Sequence, residues 1–144
     1  MADQKFSNHS QVVPLYHFVL LVAILALIAG SVNNLVSALR TGEGLYNASL
    51  ICLISFIVLL LAWFTRAFAL KAQDRAIRAE EQLRYFAITG KLPDLKLTLS
   101  QIIALRFAPN NEFVDLAHRA VQENLSAKDI KKAIVHWKAD YYRV

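Results

Sequence analysis

The sequence predicts an all-α membrane protein: a two-helix transmembrane hairpin whose second helix extends into the cytoplasm, followed by a small three-helix C-terminal unit. Two observations predict this class. Hydrophobic residues make up 56% of the 144 residues, and the apolar excess lies before Arg66 in two long runs. Most of the charged residues follow Arg66, including most of the net charge of +5. A membrane module therefore precedes a soluble module that is too short to bury a large core.

The apolar runs and the charges divide the chain into six segments. They are an N-terminal cytoplasmic segment (1–14), a first transmembrane helix (15–39), a short external loop (40–45), a second transmembrane helix (46–65), a juxtamembrane cytoplasmic helix (66–90) and a basic cytoplasmic helical unit (91–144).

The first span is predicted by the absence of any Asp, Glu, Lys or Arg between Lys5 and Arg40. Roughly 20 helical residues cross a bilayer core of about 30 Å, so this run is long enough. The second span lies between Glu43 and Arg66, with Trp63 suited to the headgroup level. Because the loop between the spans is short, the two helices are predicted to be antiparallel neighbours.

The positive charges predict the orientation of the hairpin. The loop offers only Arg40, whereas four basic residues follow the second span: Arg66, Lys71, Arg75 and Arg78. The positive-inside rule places the side with more Lys and Arg in the cytoplasm. Both termini are therefore predicted to be cytoplasmic, and the four basic residues are predicted to face anionic headgroups or a partner.

Small and polar residues recur within the first span. The candidates for helix packing in the membrane are Ala26, Gly30, Asn33, Asn34 and Ser37. Small residues let two helices approach closely, and the polar side chains need hydrogen-bond partners in a low-dielectric core. We favour partners within the hairpin, at Ser49 or Ser55, and keep contacts between copies of the protein as the alternative. Neither span holds an Asp, Glu, Lys or Arg that could carry ions or protons, which argues against a transporter or pump.

The second span is predicted to continue as helix to Thr89, because no proline or glycine interrupts residues 66–89. Gly90 is predicted to end it. A heptad-like stripe follows one face of this helix and comprises Ala72, Ala76, Ala79, Leu83 and Phe86. We expect this stripe to pack against the C-terminal helices of the same chain, with a seam between copies as the alternative.

Capping signals predict three short C-terminal helices. Thr98 with Gln101 fits a capping box, and this helix should stop before Pro109. Asn110 or Asn111 is predicted to cap a second helix over 112–123. The third helix should begin at Ser126 and occupy 127–144, with an apolar face formed by Ile130, Ala133, Ile134 and Trp137.

The third helix also carries Lys128, Lys131 and Lys132, which are predicted to lie away from the Trp137 face. We interpret them as a solvated face that meets lipid or a protein partner. A short helix, a turn and a basic helix are also typical of some nucleic-acid readers, which is the alternative.

No residue set predicts catalysis, a metal site or a cofactor site. The four histidines lack zinc-site spacing, and no glycine-rich phosphate loop or nucleophile motif occurs. The one cysteine, Cys52, lies in the second apolar run, where apolar surroundings disfavour a reactive thiolate. We therefore expect a protein that is not an enzyme and needs no cofactor.

Five blocks of sequence together resemble one known family. They are Asn8-His9 and the runs 14–18 (PLYHF), 66–81 (RAFALKAQDRAIRAEE), 101–107 (QIIALRF) and 137–144 (WKADYYRV). The chain resembles the small two-helix bacterial membrane proteins that are known only as a domain of unknown function. The resemblance spans nearly the whole chain. It implies the bacterial inner membrane and supplies no activity and no ligand residues.

The residues favour a non-enzymatic accessory or scaffold membrane protein, which presents a basic cytoplasmic unit to a protein partner or an anionic lipid surface. The alternative is a membrane-tethered nucleic-acid-binding protein. The expected partners are the lipid bilayer and either another membrane protein or a second copy of the chain. Nucleic acid is the less favoured partner, and no small-molecule substrate is indicated.

Overall fold

The computed structural model of the protein describes residues 13–140, and their regular structure is entirely helical, as predicted. The helices are a π-helical segment (Leu15–Leu20) that runs into α1 (Leu21–Thr41), then α2 (Leu45–Thr89), α3 (Leu99–Leu105), α4 (Asn110–Gln122) and α5 (Ala127–Ala133). The described residues divide into two compact units, one over residues 13–69 and one over residues 70–140. Most of the predicted N-terminal segment (1–14) and the last four residues lie outside the described range.

The hairpin unit places α1 beside the first part of α2. Its α1 ends at Thr41, and the next residue, Gly42, has a φ of +76°, a left-handed conformation that favours glycine. The Gly42 N–H donates to the Ala38 carbonyl at 2.9 Å and so satisfies one of the last acceptors of α1. The chain then needs only residues 42–44 to reverse and begin α2.

Buried residues at seven-residue intervals form the seam between α1 and α2. On α1 they are Ile24, Ser31 and Ala38, and on α2 they are Ala48 and Ser55. A seven-residue repeat is the spacing that keeps one face of a helix against its neighbour in left-handed packing. At the centre, the hydroxyls of Ser31 and Ser55 hydrogen-bond to each other at 3.0 Å.

The prediction that Asn33, Asn34 and Ser37 bond to Ser49 or Ser55 was wrong. All three side chains are exposed, because the seven-residue repeat turns the Ser31 face of α1 toward α2. Ser55 pairs with Ser31 instead, and the Ser49 hydroxyl donates to the Tyr46 carbonyl in its own helix at 2.7 Å.

The second long helix continues without a break to Thr89, as predicted. Gly90 then has a φ of +70°, and its N–H donates to the Phe86 carbonyl at 2.7 Å. The helix has 45 residues, more than twice the roughly 20 that a membrane crossing requires. The chain beyond Thr89 forms the three short helices.

The C-terminal unit is built around a core of side chains from α2 to α5. Phe107, Leu105 and Ile130 are its largest fully buried members. The predicted capping box at Thr98 and Gln101 is present, and Ser126 caps α5 as predicted. The buried amide of Gln101 also donates to the carbonyls of Ala120 and Leu125, at 3.1 and 3.0 Å. Gln101 thereby ties the start of α3 to the end of α4.

Two predicted helix boundaries in this unit were wrong. Helix α4 begins at Asn110, with Pro109 as its N-cap, two residues before the predicted start. Helix α5 ends at Ala133, and residues 134–140 are not helical. Helix α5 ends early because other acceptors compete for its backbone N–H groups. The N–H groups that would continue α5 are bonded elsewhere: those of Val135 and His136 to the Glu112 carboxylate, and that of Lys138 to the Phe107 carbonyl.

Candidate functional site

The basic residues predicted to face lipid or a partner fall into two environments on α2. Lys71, Arg75 and Arg78 are exposed and are spaced at i, i+4 and i+7, so their side chains share one side of the helix. Within residues 13–140 none of these three forms an ion pair. Arg66 is half-buried, and its guanidinium lies 5.9 Å from the centre of the Tyr16 ring. The Tyr16 hydroxyl in turn donates to the Ala62 carbonyl.

Arg84 holds α2 against the rest of the C-terminal unit, a role that the sequence analysis missed. Its guanidinium donates to the Glu81 carboxylate at 2.9 Å, to the Asn110 side chain at 2.8 Å and to the Ala108 carbonyl at 2.7 Å. It also lies 4.3 Å from the centre of the Phe113 ring. A planar guanidinium can donate several hydrogen bonds and lie over an aromatic ring at the same time, which a lysine ammonium cannot do.

The three lysines of α5 do not share one solvated face. Lys128 and Lys132 are exposed, but the Lys131 ammonium lies 5.6 Å from the centre of the buried Phe107 ring. The same ring stacks against Trp137, with 4.7 Å between the two ring centres. The prediction that Lys131 lies away from the Trp137 side was therefore wrong. The error follows from the early end of α5, because Trp137 reaches the core from an extended segment rather than from the opposite helix face.

Glu112 anchors the segment that follows α5. Its carboxylate accepts the N–H groups of Val135 and His136, each at 2.9 Å, and contacts the His136 Nδ1 at 2.8 Å. Partial burial raises the pKa of Glu112, but the two backbone donors and the His136 side chain outweigh it and lower the pKa below its ordinary value of 4.5. The carboxylate therefore stays charged in the folded unit and acts as a fixed acceptor.

The polar side chains at the edge of the core make structural contacts. No three His, Cys, Asp or Glu side chains in this part of the chain lie close enough to hold a metal ion. His118 Nε2 lies 3.2 Å from the Tyr85 hydroxyl, a contact that supports the core. A crevice beside Tyr85, Leu97 and Phe113 has about 10 Å³ of space, room for one water molecule.

The small and polar residues of α1 form an exposed face on the hairpin. Ala26, Gly30, Asn33, Asn34 and Ser37 are all exposed. A side chain added at Gly30 would meet nothing within 4 Å. This face is therefore not used by the contacts within the hairpin.

The heptad-like stripe on α2 is also exposed. Its members are Ala72, Ala76, Ala79, Leu83 and Phe86, of which Leu83 is 68% and Phe86 is 49% exposed. The prediction that the stripe packs against the C-terminal helices of the same chain was wrong. The contacts with those helices lie on the adjacent side of α2, because buried Tyr85 belongs to their core and Arg84 donates to the Ala108 carbonyl.

One family model matches the protein over its full length, residues 1–144, and describes a family of unknown function, DUF6526. The chain belongs to this family. The resemblance found in the sequence blocks is thereby confirmed. No curated protein and no solved structure matches the chain.

Proposed function

We propose that the protein is a two-span membrane protein of the bacterial inner membrane, in which the hairpin anchors a helical scaffold unit at the cytoplasmic face. It performs no catalysis of its own. Its role is to hold the 70–144 unit at the membrane surface, where the unit is available to a partner.

The observation that carries this proposal is the outward-facing apolar surface of the hairpin. In the most apolar 18-residue window of each long helix, only 11% (first helix) and 17% (second helix) of the residues are buried within the protein. Leu25 and Leu53, for example, are each 56% exposed. In water this surface would carry a large unfavourable hydration free energy, whereas lipid chains would cover it. The interior helices of a soluble protein would instead be mostly buried.

Charge supports the cytoplasmic placement of the 70–144 unit. The loop end of the hairpin carries Arg40 and Glu43, whereas Arg66, Lys71, Arg75 and Arg78 follow its other end. Cytoplasmic flanks carry the excess of Lys and Arg. Arg66 and Lys71 lie within six residues of the predicted span end at residue 65, at most about 9 Å along a helix. We propose that these two side chains contact anionic headgroups.

The architecture of the unit supports a scaffold rather than a nucleic-acid reader. Helix α5 has seven residues, and Lys131 lies on the Phe107 ring, so only Lys128 and Lys132 of the three predicted lysines project from it. A recognition helix needs several side chains that reach base edges from one exposed face. Two lysines on a short helix do not supply that face.

The proposal is tested on the full chain in bacterial cells. Alkaline carbonate treatment should leave the protein in the membrane pellet. A reporter fused after Gly42 should read as periplasmic, and one fused after Val144 as cytoplasmic. Extraction by carbonate would refute the membrane anchor, and a periplasmic readout after Val144 would refute the orientation.

The headgroup contact is tested with the intact protein in nanodiscs. Acetylation of Lys71 should be slower in discs that contain phosphatidylglycerol than in phosphatidylcholine discs, because anionic headgroups attract the ammonium group. The same comparison at high salt is the control, because screening of the headgroup charge should bring the two Lys71 rates together. Equal rates at Lys71 in the two discs would contradict the contact.

A further inference from the structure

We infer that the stripe Ala72, Ala76, Ala79, Leu83 and Phe86 is the seam of a parallel homodimer, in which Arg75 of each copy pairs with Glu80 of the other. The inference rests on the proposed membrane anchoring, because two copies inserted with the same topology necessarily carry their α2 helices in the same direction. It adds a specific partner, a second copy of this chain, and a specific register.

The spacing of the stripe assigns heptad positions. The intervals are four, three, four and three residues, which is the a and d pattern of a coiled coil. Ala76 and Leu83 then occupy a positions, and Ala72, Ala79 and Phe86 occupy d positions. All five are exposed in the protein. The seam is thus complete over two heptads and is not covered by any described residue of the same chain.

The C-terminal helices contact α2 on sides of the helix that would not face the partner in a dimer. In this register Ile77 and Arg84 are b positions, Tyr85 is a c position and Glu81 is an f position. These positions point away from the partner helix in a two-stranded coiled coil. Tyr85 is buried in the core with α3 and α4, Arg84 is bonded to the α3–α4 turn and to Glu81, and Ile77 is also buried. A second α2 can therefore approach the seam without displacing the core.

Charge complementarity selects the parallel arrangement. Arg75 is a g position and Glu80 is the e position five residues later, which is the spacing of the ion pair between parallel helices. Both are exposed, and within residues 13–140 neither forms an ion pair. Twofold symmetry makes the pair twice. In an antiparallel dimer g faces g, and the other g position in the seam is Gln82, so Arg75 would have no acidic partner.

The inferred dimer is compatible with the proposed headgroup contact. Lys71 and Arg78 are both c positions, which stay on the outside of the pair. Of the exposed basic residues Lys71, Arg75 and Arg78, only Arg75 faces the second copy. Two heptads are a short seam for chains in water, and confinement of both copies to one membrane raises their effective concentration.

Cysteine cross-linking of the full chain in native membranes tests the inference. In a Cys52→Ser background, Ala79→Cys places a thiol at the central d position. Ile88→Cys is the matched control, because Ile88 is exposed on the same helix but occupies an f position. Mild oxidation should give a cross-linked dimer from Ala79→Cys and little from Ile88→Cys. Equal yields from both sites would indicate random collisions and would overturn the inference.

Charge reversal tests the register. In the Ala79→Cys protein, Arg75→Glu or Glu80→Arg should each lower the cross-linking yield on the order of threefold, because each creates two like-charge contacts. The double reversal should restore the yield. A double variant as weak as the single ones would overturn the Arg75–Glu80 pairing.

Carbonate fractionation of the same membranes separates this inference from the proposed function. Protein that stays in the pellet without cross-linking at residue 79 would refute the dimer alone. Protein that is extracted would refute the membrane anchor and, with it, the dimer.

Discussion

The guanidinium of Arg84 lies 4.3 Å from the centre of the Phe113 ring and joins the last turns of α2 to the turn between α3 and α4. The arginine and its Glu81 partner are both largely buried, with side chains 13% and 9% exposed. This contact determines which side of α2 is covered by the C-terminal helices. The stripe of Ala72, Ala76, Ala79, Leu83 and Phe86 lies outside this contact and is exposed.

Arg84→Ala should destabilise the C-terminal unit by about 3 kcal/mol, because it leaves the Glu81 carboxylate and the Ala108 carbonyl without their donor. Chemical denaturation of the intact protein in detergent micelles, followed by circular dichroism, measures the change. Arg119→Ala is the control, because Arg119 pairs with Glu123 at the surface and its loss should leave the midpoint unchanged. Equal midpoint shifts in the two variants would show that Arg84 is not an anchor.

Acid should release the segment after α5. The pKa of Glu112 is lower in the folded unit than its ordinary value of 4.5, so the carboxylate contributes its full stabilisation above pH 4.5. That contribution is lost as the pH falls through the folded pKa. Exchange of the Val135 and His136 amide hydrogens, corrected for intrinsic rates, should therefore become less protected below pH 4.5.

Glu112→Gln should remove this pH dependence and weaken the protection at neutral pH. Glu123→Gln, at an exposed carboxylate just past the end of the same helix, should change neither. Protection of the Val135 and His136 amides that persists in Glu112→Gln at neutral pH would contradict the assigned role of the carboxylate.

Trp137→Ala should loosen residues 134–140 and leave the helical content nearly unchanged, because Trp137 lies beyond the end of α5. The stack on Phe107 should contribute about 2 kcal/mol, less than a fully buried aromatic, since Trp137 is only partly buried. Far-ultraviolet circular dichroism and limited proteolysis at Lys138 measure the two effects. A large loss of helical signal would mean that the 134–140 segment supports α5 more than its contacts indicate.

The hairpin should tolerate a large side chain on one face of α1 and not on another. Ser31→Leu places extra volume in the seam opposite Ser55 and should destabilise the hairpin by about 1 to 3 kcal/mol. Asn34→Leu, on the exposed face, is the matched control and should be neutral or stabilising in lipid. Unfolding in mixed micelles by titration with sodium dodecyl sulfate compares the two. If Asn34→Leu destabilised the hairpin more than Ser31→Leu does, the exposed face of α1 would have to contact another helix.

Much of the fold could be predicted because its signals are local. The apolar runs are continuous in the sequence, and the glycine that ends α2 and the capping residues of α3 and α5 act through neighbours within about four residues. The buried positions of α4, among them Phe113, Leu116 and Ala120, follow from helical periodicity in the same way.

The tertiary structure alone decided which faces of the helices are covered and where α5 ends. Ser31, rather than Asn34, faces α2 because the contacts between the two helices follow a seven-residue repeat. Which face of α1 carries that repeat depends on where the neighbouring helix lies. The end of α5 depends on Glu112, more than 20 residues earlier in the chain, whose carboxylate takes two of the N–H groups that helix extension would need. Arg84 likewise finds its partners across the α3–α4 turn. Each of these hydrogen bonds joins residues that only folding brings together, so sequence spacing carries no direct signal for them.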